Sequence, residues 1–190
     1  MNITEQKVIN GIKYFIKNTK NVRRTKLFKL LYFWDFMNFK KHGLSVTGYD
    51  YYTYPFGPVP KKLYEQIDNN DLPESFKENF IIVEDEYEDE DDNYKKFRIL
   101  LKNRKIDLDW LSPNELNTLK DVSLIFKNAT AKDMTEITHL PRTPWSKTIK
   151  KGMDKKIDYF LAIDENTTLD LETIKERFNL QKELLSGGHI

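Results

Sequence analysis

The residue best suited to proton chemistry is His139, with Asp133 and Glu136 upstream and Trp145 downstream. A histidine held by a carboxylate can act as a general base. No serine or cysteine nucleophile motif accompanies it, and a lone histidine more often makes a structural hydrogen bond. The chain has no cysteine, which excludes disulfides and thiolate metal sites. Its three histidines, His42, His139 and His189, include no pair at helical ligand spacing. Residues 84–92 hold eight acids in nine positions. They lack the glycine and the spacing of an EF-hand loop, so they read as a solvated loop; a nucleic-acid mimic or a contact for a basic partner is the other reading. There is no P-loop or dinucleotide pattern. No catalytic residue, metal ligand or cofactor is assigned.

What the residues offer instead is a binding surface. Tyr49, Tyr51, Tyr52 and Tyr54 precede Phe56-Gly57-Pro58. Tyrosine is enriched at interface hot spots, and a glycine–proline turn holds such a surface rigid. Strand alternation puts one tyrosine set on each face, so core packing and partner binding both remain open. The partner-facing set is expected to be Tyr52, Tyr54, Phe56, Gly57, Pro58 and Tyr64. Asp35 stands among aromatics in Leu30-Leu31-Tyr32-Phe33-Trp34-Asp35-Phe36. It reads as a buried carboxylate satisfied by a lysine, a tyrosine or backbone donors, because an unpaired one is costly; a polar site open to a partner is the alternative. Lys20, Arg23, Arg24, Lys26 and Lys29 form a basic cluster, expected to be a solvated helix start rather than a phosphate contact.

The elements that hold these residues follow from periodicity. Val8, Ile9, Ile12, Phe15 and Ile16 predict an amphipathic helix over residues 4–18. Residues 23–41 predict a helix apolar almost all round, which is central and packed on both sides, with Gly43 as its C-cap. Residues 49–54 are extended, and Pro55, Pro58 and Pro60 argue against a central strand. Residues 56–58 predict a turn, and Val59-Pro60 the start of a short helix carrying Leu63, Tyr64 and Ile67. Residues 80–83 and 94–101 predict a hairpin with an acidic tip. Ser112-Pro113-Asn114-Glu115 predicts a capping box, and Thr130 with Asp133 another helix start. Pro141 and Pro144 break the chain before Trp145. Residues 157–162 form a short ordered stretch, 169–184 a last helix, and 186–190 a frayed tail. The fold class is α+β and mostly helical: a central apolar helix with surrounding helices and a small antiparallel hairpin.

Bulk properties bound the function. At 190 residues, 32% charged, with mean hydropathy −0.67 and net charge +1, the chain has the length of one domain and no global field toward nucleic acid or membrane. No apolar stretch reaches the roughly 18–20 residues that span a bilayer, and the first residues lack the apolar core of a signal peptide. A cytoplasmic location is expected.

The ordered set in residues 26–60 resembles the Panacea domain, also called the SocA-like antitoxin domain. It comprises Lys29-Leu30-Leu31-Tyr32-Phe33 and Asp35, then Gly43, Thr47-Gly48 and Gly57-Pro58-Val59-Pro60. The resemblance continues through Leu111-Ser112-Pro113-Asn114-Glu115, Thr138-His139 ahead of Trp145, and Ile157-Asp158-Tyr159. It places one such domain over residues 1–165, with a C-terminal helix and tail over 166–190 packed on or appended to it. It implies an antitoxin of a bacterial or prophage toxin–antitoxin system that neutralises a cognate protein toxin by direct binding, and not an enzyme. One branch implies the alternative of a proteolytic adaptor handing the toxin to a protease. Some members add a helix-turn-helix module; no segment here is left over for one, so a nucleic-acid-binding regulator is the third reading and nucleic acid is not the expected partner. No membrane partner is expected, and a homodimer is left open.

Overall fold

Apolar side chains occupy nearly every turn of residues 24–42, and such a helix has to be covered on all sides. In the structure, a computed structural model describing residues 2–84 and 97–187, helix α2 (Arg24–His42) is the centre of the core. Its Leu27, Leu30, Leu31, Trp34 and Phe39 are wholly buried. Helix α1 (Ile3–Asn18) covers one side with Val8, Ile9, Ile12 and Phe15, and the Phe15 ring meets Trp34 edge-on at 5.8 Å. α2 stops at Gly43, whose φ of 73° lies in the left-handed region and whose amide donates to the Phe39 carbonyl at 2.8 Å. Glycine takes that conformation without a Cβ clash.

The expectation of one strand pair is corrected: the described residues form two two-stranded antiparallel sheets. Strand β1 (Tyr51–Tyr54) pairs with β2 (Gly57–Pro60), with Tyr51 opposite Pro60 and Tyr54 opposite Gly57. The turn therefore falls at Pro55-Phe56, and Gly57-Pro58 begins the returning strand instead of making the turn. Helix α3 (Lys61–Asp68) follows with Pro60 at its N-cap. On its other edge β1 is bonded by residues 154–157, through Thr53 N–H to the Lys155 carbonyl at 3.0 Å and Ile157 N–H to the Tyr51 carbonyl at 2.7 Å. Helix α4 (Glu74–Asn79), unanticipated, leads into β3 (Phe80–Glu84), which pairs with β4 (Phe97–Leu101) from Phe80 opposite Leu101 to Glu84 opposite Phe97. The expected acidic tip and residues 188–190 of the expected tail lie outside the described residues.

Helix α5 (Pro113–Ile125) opens with the expected Ser112–Glu115 capping box, and α6 (Ala131–His139) with one between Thr130 and Asp133. The Trp34 indole N–H donates to the Glu115 carbonyl at 3.0 Å, tying α5 to α2. α7 (Pro144–Thr148) starts on Pro144 and buries Trp145. A 3-10 turn at Tyr159–Ala162 carries Tyr159 into the core, where its ring stacks on Phe36 at 4.3 Å. α8 (Leu171–Ser186) packs back through Ile174 and Phe178, whose ring lies 4.9 Å from Phe39. The Gln181 side chain of α8 bonds both the amide and the carbonyl of Ser45, at 3.0 and 2.7 Å. The architecture is a mostly helical α+β fold, as expected.

Gly11 on α1 faces Trp34 so closely that a Cβ there would overlap the indole ring. Alanine in an exposed helix would be favoured over glycine by about 1 kcal/mol. Here Gly11→Ala is expected to destabilise the protein by about 1–3 kcal/mol through overpacking. The denaturant midpoint should fall while the slope of the transition is unchanged.

Candidate functional site

Helical spacing brings Lys29, Tyr32 and Asp35 from α2 beneath the β1–β2 hairpin and the loop before it. Asp35 is completely buried. Its Oδ1 accepts from the Val46 and Thr47 amides at 2.7 and 2.8 Å; its Oδ2 accepts from the Thr47 hydroxyl and from the Tyr51 hydroxyl at 2.7 Å. Burial pushes its pKa up, and these four donors pull it back. The reading of Asp35 as a satisfied core carboxylate holds, with tyrosine and backbone donors as the partners and no lysine among them. The same burial, with the Asp35 charge beside it, raises the Tyr51 hydroxyl well above the ordinary tyrosine range.

Lys29 makes the second buried polar centre. Its Nζ donates to the Phe56 carbonyl at the hairpin turn, which also accepts from the Thr135 hydroxyl of α6 at 3.3 Å. Burial depresses the Lys29 pKa to about 7. Gly57 (φ 107°) passes so close that a Cβ would lie 2.7 Å from Lys29 Nζ and 2.8 Å from the Thr138 hydroxyl. Lys29, Gly57 and Thr138 are thus one packing unit assembled from α2, β2 and α6. Tyr32 is buried too, with its hydroxyl driven up by burial. His139 stacks on Trp145 with ring centroids 3.8 Å apart. Among the described residues the buried His139 Nε2 and Trp145 Nε1 have no hydrogen-bond partner. Burial, with Lys29 nearby, lowers the His139 pKa. Asp133 is not its partner: that carboxylate accepts from the Thr130 amide at 2.8 Å in the α6 capping box. The His–carboxylate base considered from the sequence is not assembled with Asp133.

The basic cluster is corrected. Lys20 and Arg23 are exposed, but Arg24, Lys26 and Lys29 are buried, not a solvated helix start. Lys26 donates to the carbonyls of Lys20 and Ala129 at 2.7 and 2.6 Å. Arg24 lies over the Tyr64 ring at 4.1 Å and the Phe97 ring at 4.9 Å, and pairs with Asp68 at 2.9 Å.

Outside this frame lies the hairpin's other face. Tyr51 and Thr53 point inward and are wholly buried, while Tyr52 and Tyr54 are half-buried on the outer face. Tyr54 meets Tyr64 of α3 at 5.2 Å, and Lys61 sits 4.9 Å over Tyr52. Phe56 at the turn is 47% exposed. Gly57, Pro58 and Pro60 are buried and Val59 half-buried, with β2 packed on α2 and α6; Leu30 and Leu31 are core, and Gly48 is exposed in the loop that supplies the Asp35 donors. From the sequence, Arg24 entered only through the basic cluster, and Thr47 and Thr138 only through the motif pairs Thr47-Gly48 and Thr138-His139; none was assigned a role at the site.

The family model described as "Antitoxin SocA-like, Panacea domain" matches residues 27–146. The chain belongs to the SocA-like Panacea antitoxin family. That span holds both buried centres, Asp35 and Lys29, together with the hairpin they support. Neither the curated proteins nor the solved structures yield a match. Membership indicates a role in a toxin–antitoxin system. Among the described residues of this Panacea protein, no helix is long and apolar enough to cross a membrane.

Removing the Asp35 carboxylate strands four donors. Asp35→Asn is expected to lower the unfolding free energy by about 1–3 kcal/mol and Asp35→Ala by about 3–5 kcal/mol, both read by denaturant titration. Lys29 has a defined pH signature. Its folded pKa, about 7, is below its ordinary 10.5, so between those values the unfolded chain binds the extra proton and stability rises with pH. The stability of the wild type relative to Lys29→Met should be flat below pH 7 and climb from there to about pH 10.

Proposed function

We propose that this Panacea protein is an antitoxin that neutralises its cognate toxin by direct binding through the outer face of the β1–β2 hairpin and α3. The observation that carries this reading is the outward aromatic row of half-buried Tyr52, Tyr54 and Tyr64 with exposed Phe56, on a backbone pinned from beneath. Lys29 and Thr135 hold the Phe56 carbonyl, and residues 154–157 hold the far edge of β1. A pre-formed aromatic surface loses little conformational entropy on binding, and tyrosine anchors contribute disproportionately to affinity. Gly57 and Pro58 set the turn's position from inside the fold, so their effect on the partner is indirect. The eight acids in residues 84–92 would speed the approach of a basic toxin.

The test is co-expression with the toxic product of the neighbouring gene. Tyr54→Ala with Phe56→Ser is expected to weaken the purified complex by about 2 kcal/mol or more and to abolish growth rescue, with the melting temperature of the free protein nearly unchanged. Full rescue by that double variant would move the binding surface elsewhere. Rescue that disappears in a protease-deficient host would replace neutralisation by binding with the adaptor reading.

A further inference from the structure

Residues 150–156 carry a concentration of charge that neither the core nor the aromatic row explains. They read Lys-Lys-Gly-Met-Asp-Lys-Lys, four lysines against one aspartate, and all seven are exposed. Their backbone is nevertheless fixed. The hydroxyl of buried Thr53 donates to the Gly152 carbonyl and accepts from the Lys155 amide, both at 3.0 Å. The Thr53 main chain bonds the Asp154 amide at 2.8 Å and the Lys155 carbonyl at 3.0 Å. Lys156 stands opposite Tyr52 in an antiparallel bridge, which puts the two side chains on one face. The segment therefore continues the outer face of the β1–β2 hairpin. Two lysines beside Tyr52 are already paired, Lys156 with Asp50 at 2.7 Å and Lys61 with Asp154 at 3.0 Å. Among the described residues, Lys150, Lys151 and Lys155 make no ion pair. Met153, 53% exposed, stands between them in the chain.

We infer that residues 150–156 are a docking surface for an acidic, partly apolar segment of a partner protein, adjoining the aromatic row at Tyr52. Charge selects the occupant. Three exposed ammonium groups without an internal partner favour a segment that brings carboxylates, and such complementarity sets approach rate and register. A two-fold contact of this surface with itself would set lysine against lysine, which disfavours a second copy of the chain. Nucleic acid fits less well. A phosphate backbone is met by a run of cations that neutralises successive charges, and here exposed Asp50, Asp154 and Asp158 interrupt the run. Met153 adds an adaptable apolar contact that a polypeptide side chain can cover. Because Thr53 already holds the backbone, little ordering of the segment is needed on binding. That the acidic segment belongs to the toxin rests on the antitoxin reading above; the surface itself does not.

The experiment uses the full chain and a synthetic peptide of about eight alternating glutamate and leucine residues, long enough when extended to pass the segment. A lysine–leucine counterpart and a single-stranded oligothymidine serve as controls. The glutamate–leucine peptide is expected to bind, to shift the amide resonances of residues 150–156, and to bind more weakly as salt rises. Lys150→Glu with Lys151→Glu is expected to weaken binding at least about tenfold, with the melting temperature retained because both side chains are exposed. Lys120→Glu with Lys132→Glu changes the net charge equally at exposed positions elsewhere and is expected to leave binding nearly unchanged. Equal weakening by the two pairs would reduce the effect to net charge and overturn the proposal, as would no binding, or shifts confined to other residues. Tighter binding of the oligothymidine would assign the surface to nucleic acid and overturn it too. A toxin complex that needs the aromatic row but tolerates Lys150→Glu with Lys151→Glu would overturn this surface as the toxin contact and leave the antitoxin reading standing. Peptide shifts at residues 150–156 where the neighbouring gene product is not toxic would support the surface while removing that reading.

Discussion

A single buried carboxylate sets the geometry of this protein. Asp35 lies on the most apolar helix of the chain, where an ionised group is tolerated only if its lone pairs are filled. Its four donors come from the loop after α2 and from the first inward tyrosine of β1. Once those are in place, the path from residue 44 to residue 51 is determined, and the hairpin can start in only one position on the helix. The aromatic stack of Tyr32, Phe36, Tyr51 and Tyr159 then closes around the carboxylate and keeps water out. The acid is therefore a positioning device for the backbone, and its chemistry as a proton donor or acceptor is spent inside the fold.

Lysines repeat that logic at lower charge density. Lys13, Lys26 and Lys29 are buried, and each donates its ammonium to main-chain carbonyls distant in sequence. Burial lowers all three pKa values. Each joins a helix to a loop that has no regular structure to satisfy its own oxygen atoms. A long flexible chain ending in three donors suits this, because the stem packs with the apolar neighbours while the tip reaches the carbonyl. The fold uses its aspartate to collect amides and its lysines to collect carbonyls.

Much of this was legible in the sequence, for identifiable reasons. The all-round apolar character of α2, the glycine that ends it and the capping boxes of α5 and α6 are local signals, and each appears where its residues stand. The β1–β2 pairing was missed because Pro58 and Pro60 argue against a strand; a strand with one paired edge tolerates prolines whose missing amides face away from the ladder. α4 is too short for a periodicity to show. The basic cluster misled because lysine and arginine are seldom buried, and Phe56, Phe97 and Ala129, which receive these cations, lie 27, 73 and 103 positions away from Lys29, Arg24 and Lys26. The aromatic platform was legible as a list of tyrosines, but which tyrosine faces outward required the register that places Tyr51 opposite Pro60.

That register has a wider consequence. On β1, positions that serve stability and positions that face outward alternate one by one: Tyr51 and Thr53 are locked to the core, while Tyr52 and Tyr54 are not. The two duties are carried by different side chains on one backbone, so a change in the outer set need not disturb the Asp35 and Lys29 centres. Substitutions can therefore accumulate on the outward side chains without loss of the inward contacts that hold the hairpin to the core.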